Sequence, residues 1–148
     1  MKSILYVSLL IILIIGCKHE EQKETDLEIK TQVQEIKKVK KVLLKNFTYE
    51  DIARYTMASI MGQPTKTIKV IKKDELYFVS YIRKSDNEKF DYKIKFDGNK
   101  ILWANLDGRW RNSKYDEKIT FVEKENKVHI IQSFDDNSQN SKEFKKGD

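Results

Sequence analysis

Residues 89–96 read Lys-Phe-Asp-Tyr-Lys-Ile-Lys-Phe, and that strict alternation leaves the surrounding chain few folding options. A period of two places Phe90, Tyr92, Ile94 and Phe96 on one face of a strand, with Lys89, Asp91, Lys93 and Lys95 on the other. A half-buried strand needs hydrogen-bonded neighbours. Segments 68–71, 76–83, 101–106, 119–123 and 128–134 supply them, each apolar and rich in β-branched or aromatic residues. The connectors are short and polar, among them Lys73-Asp74, Asp97-Gly98-Asn99 and Lys124-Glu125-Asn126. Asp-Gly and Asn-containing turns at this spacing predict consecutive antiparallel hairpins. A parallel sheet would need crossover helices, for which these connectors leave no room. The expectation is a meander of about six strands. The tail from Gln139 holds only Phe144 as a large apolar residue, so it reads as a weakly ordered segment, at best an edge strand.

Ahead of the strands the period changes. Ile29, Val33, Ile36, Val39 and Leu43 fall at steps of three and four, which predicts a first helix over 26–45. Lys37, Lys38, Lys40, Lys41 and Lys45 cover its second half. Such a helix suits an anionic surface, but its apolar side lacks Trp or Phe to enter head groups, so the plainer reading is a packed stripe with an ordinary solvated face. A second helix starts at Thr48, with Asp51 three positions on in the manner of a capping box. Gly62 fits its C-cap and Pro64 forbids continuation. Met57 and Met61 read as core filler. The fold class expected is therefore α+β, with two N-terminal helices packed on an antiparallel meander. Residues 27–148 suit one domain, and aromatic residues at 11% are ample for its core.

The first residues are of another kind. Met1-Lys2 precedes an apolar run from Ile4 to Ile15, followed by Gly16-Cys17. A positive start, a short apolar stretch and a small residue before a cut are the parts of a secretory signal over 1–16. The run is too short to span a bilayer, which takes about 20 apolar residues. Ile14-Ile15-Gly16-Cys17 resembles a lipobox. That resemblance implies a bacterial lipoprotein precursor, diacylated on the Cys17 thiol and cleaved before it. Cys17 is the sole Cys, so no intrachain disulfide can form, and lipidation accounts for an odd exported thiol. Residues 18–26 lack any apolar side chain, so 17–26 reads as a flexible tether. Lys18, rather than Asp, in the second mature position implies the outer membrane over the inner one under enteric-type sorting. The Cys-Lys-x-Glu-Glu start is similar to the surface-export signal of Bacteroidetes lipoproteins.

Removing the signal deletes one charge, Lys2, and takes the formal +6 to +5. A basic balance suggests nucleic acid in a cytosolic protein. An exported one meets anionic head groups, lipopolysaccharide phosphates or acidic proteins instead, so nucleic acid is excluded as a partner. Catalysis is not expected. His19 lies in the tether and His129 in a strand, where it reads as a water-facing residue, so no His-activated nucleophile or His-rich metal site can be assembled. The five glycines are scattered and form no phosphate loop. Asp91, Asp107, Asp116 and Glu117 are each explained by an adjacent cation or turn. Asp135-Asp136-Asn137 lacks the Gly and distal Glu of a calcium loop. No cofactor or metal is implied.

One segment stands apart. Residues 103–111 read Trp-Ala-Asn-Leu-Asp-Gly-Arg-Trp-Arg, ahead of Tyr115-Asp116-Glu117, and hold both tryptophans of the chain. Trp, Tyr and Arg are enriched at binding hot spots, so Trp103, Asp107, Arg109, Trp110 and Arg111 are the candidate partner-binding residues. The plainer reading is a turn at Asp107-Gly108, with the indoles packed on the sheet and the arginines paired to Asp116 or Glu117. The string Ile-Leu-Trp-x₄-Gly-Arg-Trp-Arg resembles small uncharacterised bacterial lipoproteins. Gly62-Gln63-Pro64 after a helix, with strands closing on Asp97-Gly98-Asn99, is similar to the small lipoprotein of the outer-membrane barrel-assembly machinery. That family implies two helices on a three-stranded sheet, a pattern the segments over 119–134 exceed. Together these features predict a membrane-anchored envelope lipoprotein acting as a non-enzymatic binding or assembly module. The alternative is a surface inhibitor or immunity-type lipoprotein directed at a hydrolase or phage.

Overall fold

A computed structural model describes residues 41–148. They form one helix, α1 (Tyr49–Met61), and a short 3₁₀ turn (Thr65–Thr67). Seven strands follow: β1 (Lys69–Lys73), β2 (Leu76–Ile82), β3 (Lys89–Asp97), β4 (Lys100–Asn105), β5 (Lys118–Lys124), β6 (Lys127–Ser133) and β7 (Gln139–Lys145). All seven join one sheet in sequence order, and every neighbouring pair is antiparallel. The class is α+β, as expected, and the meander has one strand more than the six anticipated. The addition is β7, which pairs with β6 over its whole length and lies at the sheet edge.

Local chemistry sets each boundary. The Thr48 hydroxyl accepts from the Asp51 amide, while the Asp51 carboxylate accepts from the Thr48 amide, closing a reciprocal cap on α1. Gly62 ends the helix at φ 63°, a left-handed conformation that costs a glycine little. The β5–β6 turn places both Glu125 and Asn126 at positive φ, the signature of a type I′ hairpin.

The expected first helix over 26–45 falls mostly outside the described residues. Its last five positions are inside, and they are not helical. Lys41 instead makes a parallel bridge to Gly98. The Lys45 and Asn46 amides donate to the two oxygens of Glu123 at 2.8 and 2.7 Å, a tertiary partner that replaces intrahelical acceptors. Phe47 then enters the core edge-on to Tyr55.

The inner face of the sheet carries Tyr77, Val79, Ile94, Phe96, Ile101, Phe121, Val128 and Ile130, all buried against α1. The helix touches β1 and β2 near one edge and β6 near the other. It also reaches β7, where Tyr55 stacks on Phe144 at 4.7 Å and its hydroxyl donates to the Lys145 carbonyl. A flat seven-stranded sheet would be roughly 28 Å across at about 4.8 Å per strand, and a helix of ~10 Å diameter could not touch both margins. The sheet therefore curls around the helix. Its weakest join is β4–β5, where only Lys100↔Thr120 and Ile101↔Ile119 pair. Beyond that seam the chain leaves the sheet and returns through residues 106–117.

Candidate functional site

The excursion over 106–117 contains most of the segment singled out from the sequence, and the seam puts it there. It opens with a turn in which the Gly108 amide donates to the Asn105 carbonyl. A Cβ at Gly108 would lie 3.1 Å from that of Asn105, so a side chain there would require Asn105 to give by a few tenths of an ångström. The chain then comes back along β4, with the Arg111 amide donating to the Trp103 carbonyl.

Its side chains divide between the two faces of the sheet. Trp103 lies on the inner face, 4% exposed and edge-on to Tyr92 at 5.6 Å. Its indole N–H donates to Glu117 at 3.0 Å. The Arg111 guanidinium lies 4.2 Å from the centre of the Trp103 ring and 3.8 Å from the other Glu117 oxygen. Tyr92 has its phenol pushed well above the ordinary range, first by burial and then by its hydrogen bond with Tyr81. It stays neutral at any physiological pH.

Trp110 takes the opposite face. Lys93 and Lys95, which alternate with the core residues of β3, hold their ammonium groups 5.3 and 4.6 Å from the centre of the Trp110 ring. Both distances are within cation–π range. The indole is half-buried. Ala104, cross-strand from Lys93 on this face, is 1% exposed.

Arg109 and Asp116 close the excursion. The guanidinium donates two hydrogen bonds to the carboxylate, at 2.7 and 2.8 Å, and a third to the Trp110 carbonyl. Asp116 is buried, only 8% exposed, while the Arg109 side chain remains 67% exposed. Arg109, with the Ser113 amide and hydroxyl, holds the Asp116 carboxyl well below the usual carboxylate range. Asp107 is exposed in the turn, without a side-chain hydrogen bond among the described residues.

The five candidate residues are thus adjacent in the chain but do not form one constellation. Trp103 and Arg111 make an inner cluster with Glu117, Trp110 makes an outer one with two lysines, and Arg109 braces the loop between them. The lysines of β3 read in the sequence only as the solvated half of a strand. Their part in the Trp110 cluster depends on a fold-back that strand periodicity does not encode. His129 lies on the outer face across from Glu143, at 3.7 Å. No family model, curated protein or solved structure matches the chain.

Proposed function

We propose that the protein is a lipid-anchored lipoprotein of a bacterial envelope, held in the outer membrane rather than the inner one. In this reading it works as a non-enzymatic binding or assembly module. The observation that carries the proposal is the sequence Ile14-Ile15-Gly16-Cys17 behind a short apolar run, with Cys17 the only Cys in the chain. These residues lie outside the described ones. Two or three acyl chains, at about 0.8 kcal/mol per buried CH₂, hold a protein on a bilayer without a spanning segment. The character of residues 41–148 supports a binding role. The sheet presents a loop that carries Arg109 and Trp110, and loops on rigid scaffolds are where recognition commonly sits.

The test is Cys17→Ser, since a serine hydroxyl cannot take the thioether-linked lipid. The expected outcome is an unprocessed or soluble exported form that leaves the detergent phase. A variant that still partitions with detergent at the mature mass would refute the anchor. Pull-down from solubilised envelope then reads the partner. Host assembly proteins support the module, and a foreign hydrolase or phage protein identifies the inhibitor alternative.

A further inference from the structure

We propose that the outer face of β1–β4, centred on Trp110, Lys93 and Lys95, docks on an anionic phospholipid surface. The strand register defines this face. Ile71, Phe78, Lys93 and Ala104 form one cross-strand row, while Lys73, Leu76, Lys95 and Leu102 belong to the next. Across the four strands the face carries six lysines against two aspartates, Asp91 and Asp97. Asp91 is already paired to Lys89 at 3.0 Å. Among the described residues, neither Lys93 nor Lys95 has an acidic side chain within salt-bridge distance. Two ammonium groups sharing one indole repel each other, and an anion placed between them relieves that repulsion. Ile71 is 68% exposed at the margin of the face.

This chemistry fits phosphate head groups better than an acidic protein. Lysine is a compact point charge on a flexible stem, suited to phosphate without the fixed geometry of an arginine fork. The arginines of the segment are committed to carboxylates elsewhere. Tryptophan with lysine and scattered aliphatic side chains is the composition that settles at the head-group boundary. Each lysine near an anionic leaflet multiplies occupancy severalfold, and attachment to the same membrane raises the effective concentration further. That second contribution rests on the proposed lipid anchor. The charge complementarity does not.

The experiment places the full lipidated chain on vesicles of brominated phosphatidylcholine, alone or with about one-third phosphatidylglycerol. Tryptophan emission reports contact, because bromine quenches an indole that reaches the acyl boundary. Trp103 is enclosed, so Trp110 is the responsive ring. The expected result is loss of about half the emission on anionic vesicles and little on neutral ones, with reversal near 1 M salt, where screening acts over ~3 Å. Lys93→Gln with Lys95→Gln should abolish the difference, whereas Lys93→Arg with Lys95→Arg should keep it. Trp110→Phe should remove the quenchable component, which assigns it. Equal quenching on both vesicles, or none on either, overturns the proposal. Flotation in high salt is scored separately. Protein that fails to float has no anchor, yet its quenching on anionic vesicles at low salt still decides the docking face.

Discussion

Strand β3 presents two surfaces with opposite histories of contact. On one side Tyr92, Ile94 and Phe96 are almost wholly buried, with Phe96 edge-on to Tyr49, Tyr77 and Phe121. On the other side Lys93 and Lys95 are half-buried, and a single indole covers them. The inner surface is enclosed by a helix that touches both margins of the sheet. The outer surface is covered only by a loop, which reaches it because β4 and β5 separate after two pairs. Identical backbone thus serves a core on one side and a partly open surface on the other, and what differs is the element packed against it.

Three substitutions bracket that contrast. Phe121→Ala empties an inner site enclosed by Tyr49 and Phe96, and should lower stability by ~3–5 kcal/mol, the range for a buried aromatic. Urea unfolding measures this, and a loss under about 1 kcal/mol would mean the inner face is not the core that holds the fold. Trp110→Ala tests the outer face. A half-buried ring surrenders roughly half as much packing, so a loss of about 2 kcal/mol is expected. A loss as large as that of Phe121→Ala would make the two faces equivalent and remove the contrast.

The smallest effect belongs to the brace. Asp116 titrates lower in the folded protein than in the unfolded chain. Its stabilising contribution is therefore complete above its unfolded value near pH 4, and disappears as pH falls through the depressed folded value. In Arg109→Gln the folded value returns toward the ordinary range. The stability difference between wild type and Arg109→Gln should be largest at neutral pH and shrink below pH ~4. Denaturant midpoints at neutral and acid pH measure it. A difference that grows on acidification would show that Asp116 does not depend on Arg109.

The inner face was readable from the sequence because it follows from periods and caps. Alternation in 89–96, the Thr48–Asp51 box and the Glu125-Asn126 turn are decided within a few residues of chain, and the structure has all three. The expectation failed where distant partners decide. Leu43 continues in sequence the helical spacing that runs up to Val39, yet Glu123, 78 positions on from Lys45, takes the amides that a helix would have used. β7 has one large apolar side chain, and it is fixed by the open edge of β6 together with the stack of Phe144 on Tyr55. The site shows the same division. Pairing of Arg109 with Asp116 and of Arg111 with Glu117 was foreseeable from their closeness in the chain. The split of Trp103 and Trp110 between opposite faces was not, nor was the presence of β3 lysines beside Trp110.

The two-rung seam between β4 and β5 also has a kinetic meaning. Each hairpin on either side closes over a few residues, and contacts so local form early and fast. Two rungs give little to hold the four-strand half to the three-strand half. The durable link is α1, whose Tyr55 reaches Lys145 across 90 positions of sequence. Helix docking is then the step that carries the entropy of long-range closure, and it cannot be completed until the last strand has been synthesised. Substitutions where α1 meets β6 and β7 should slow folding, whereas those in the 106–117 excursion should mainly hasten unfolding.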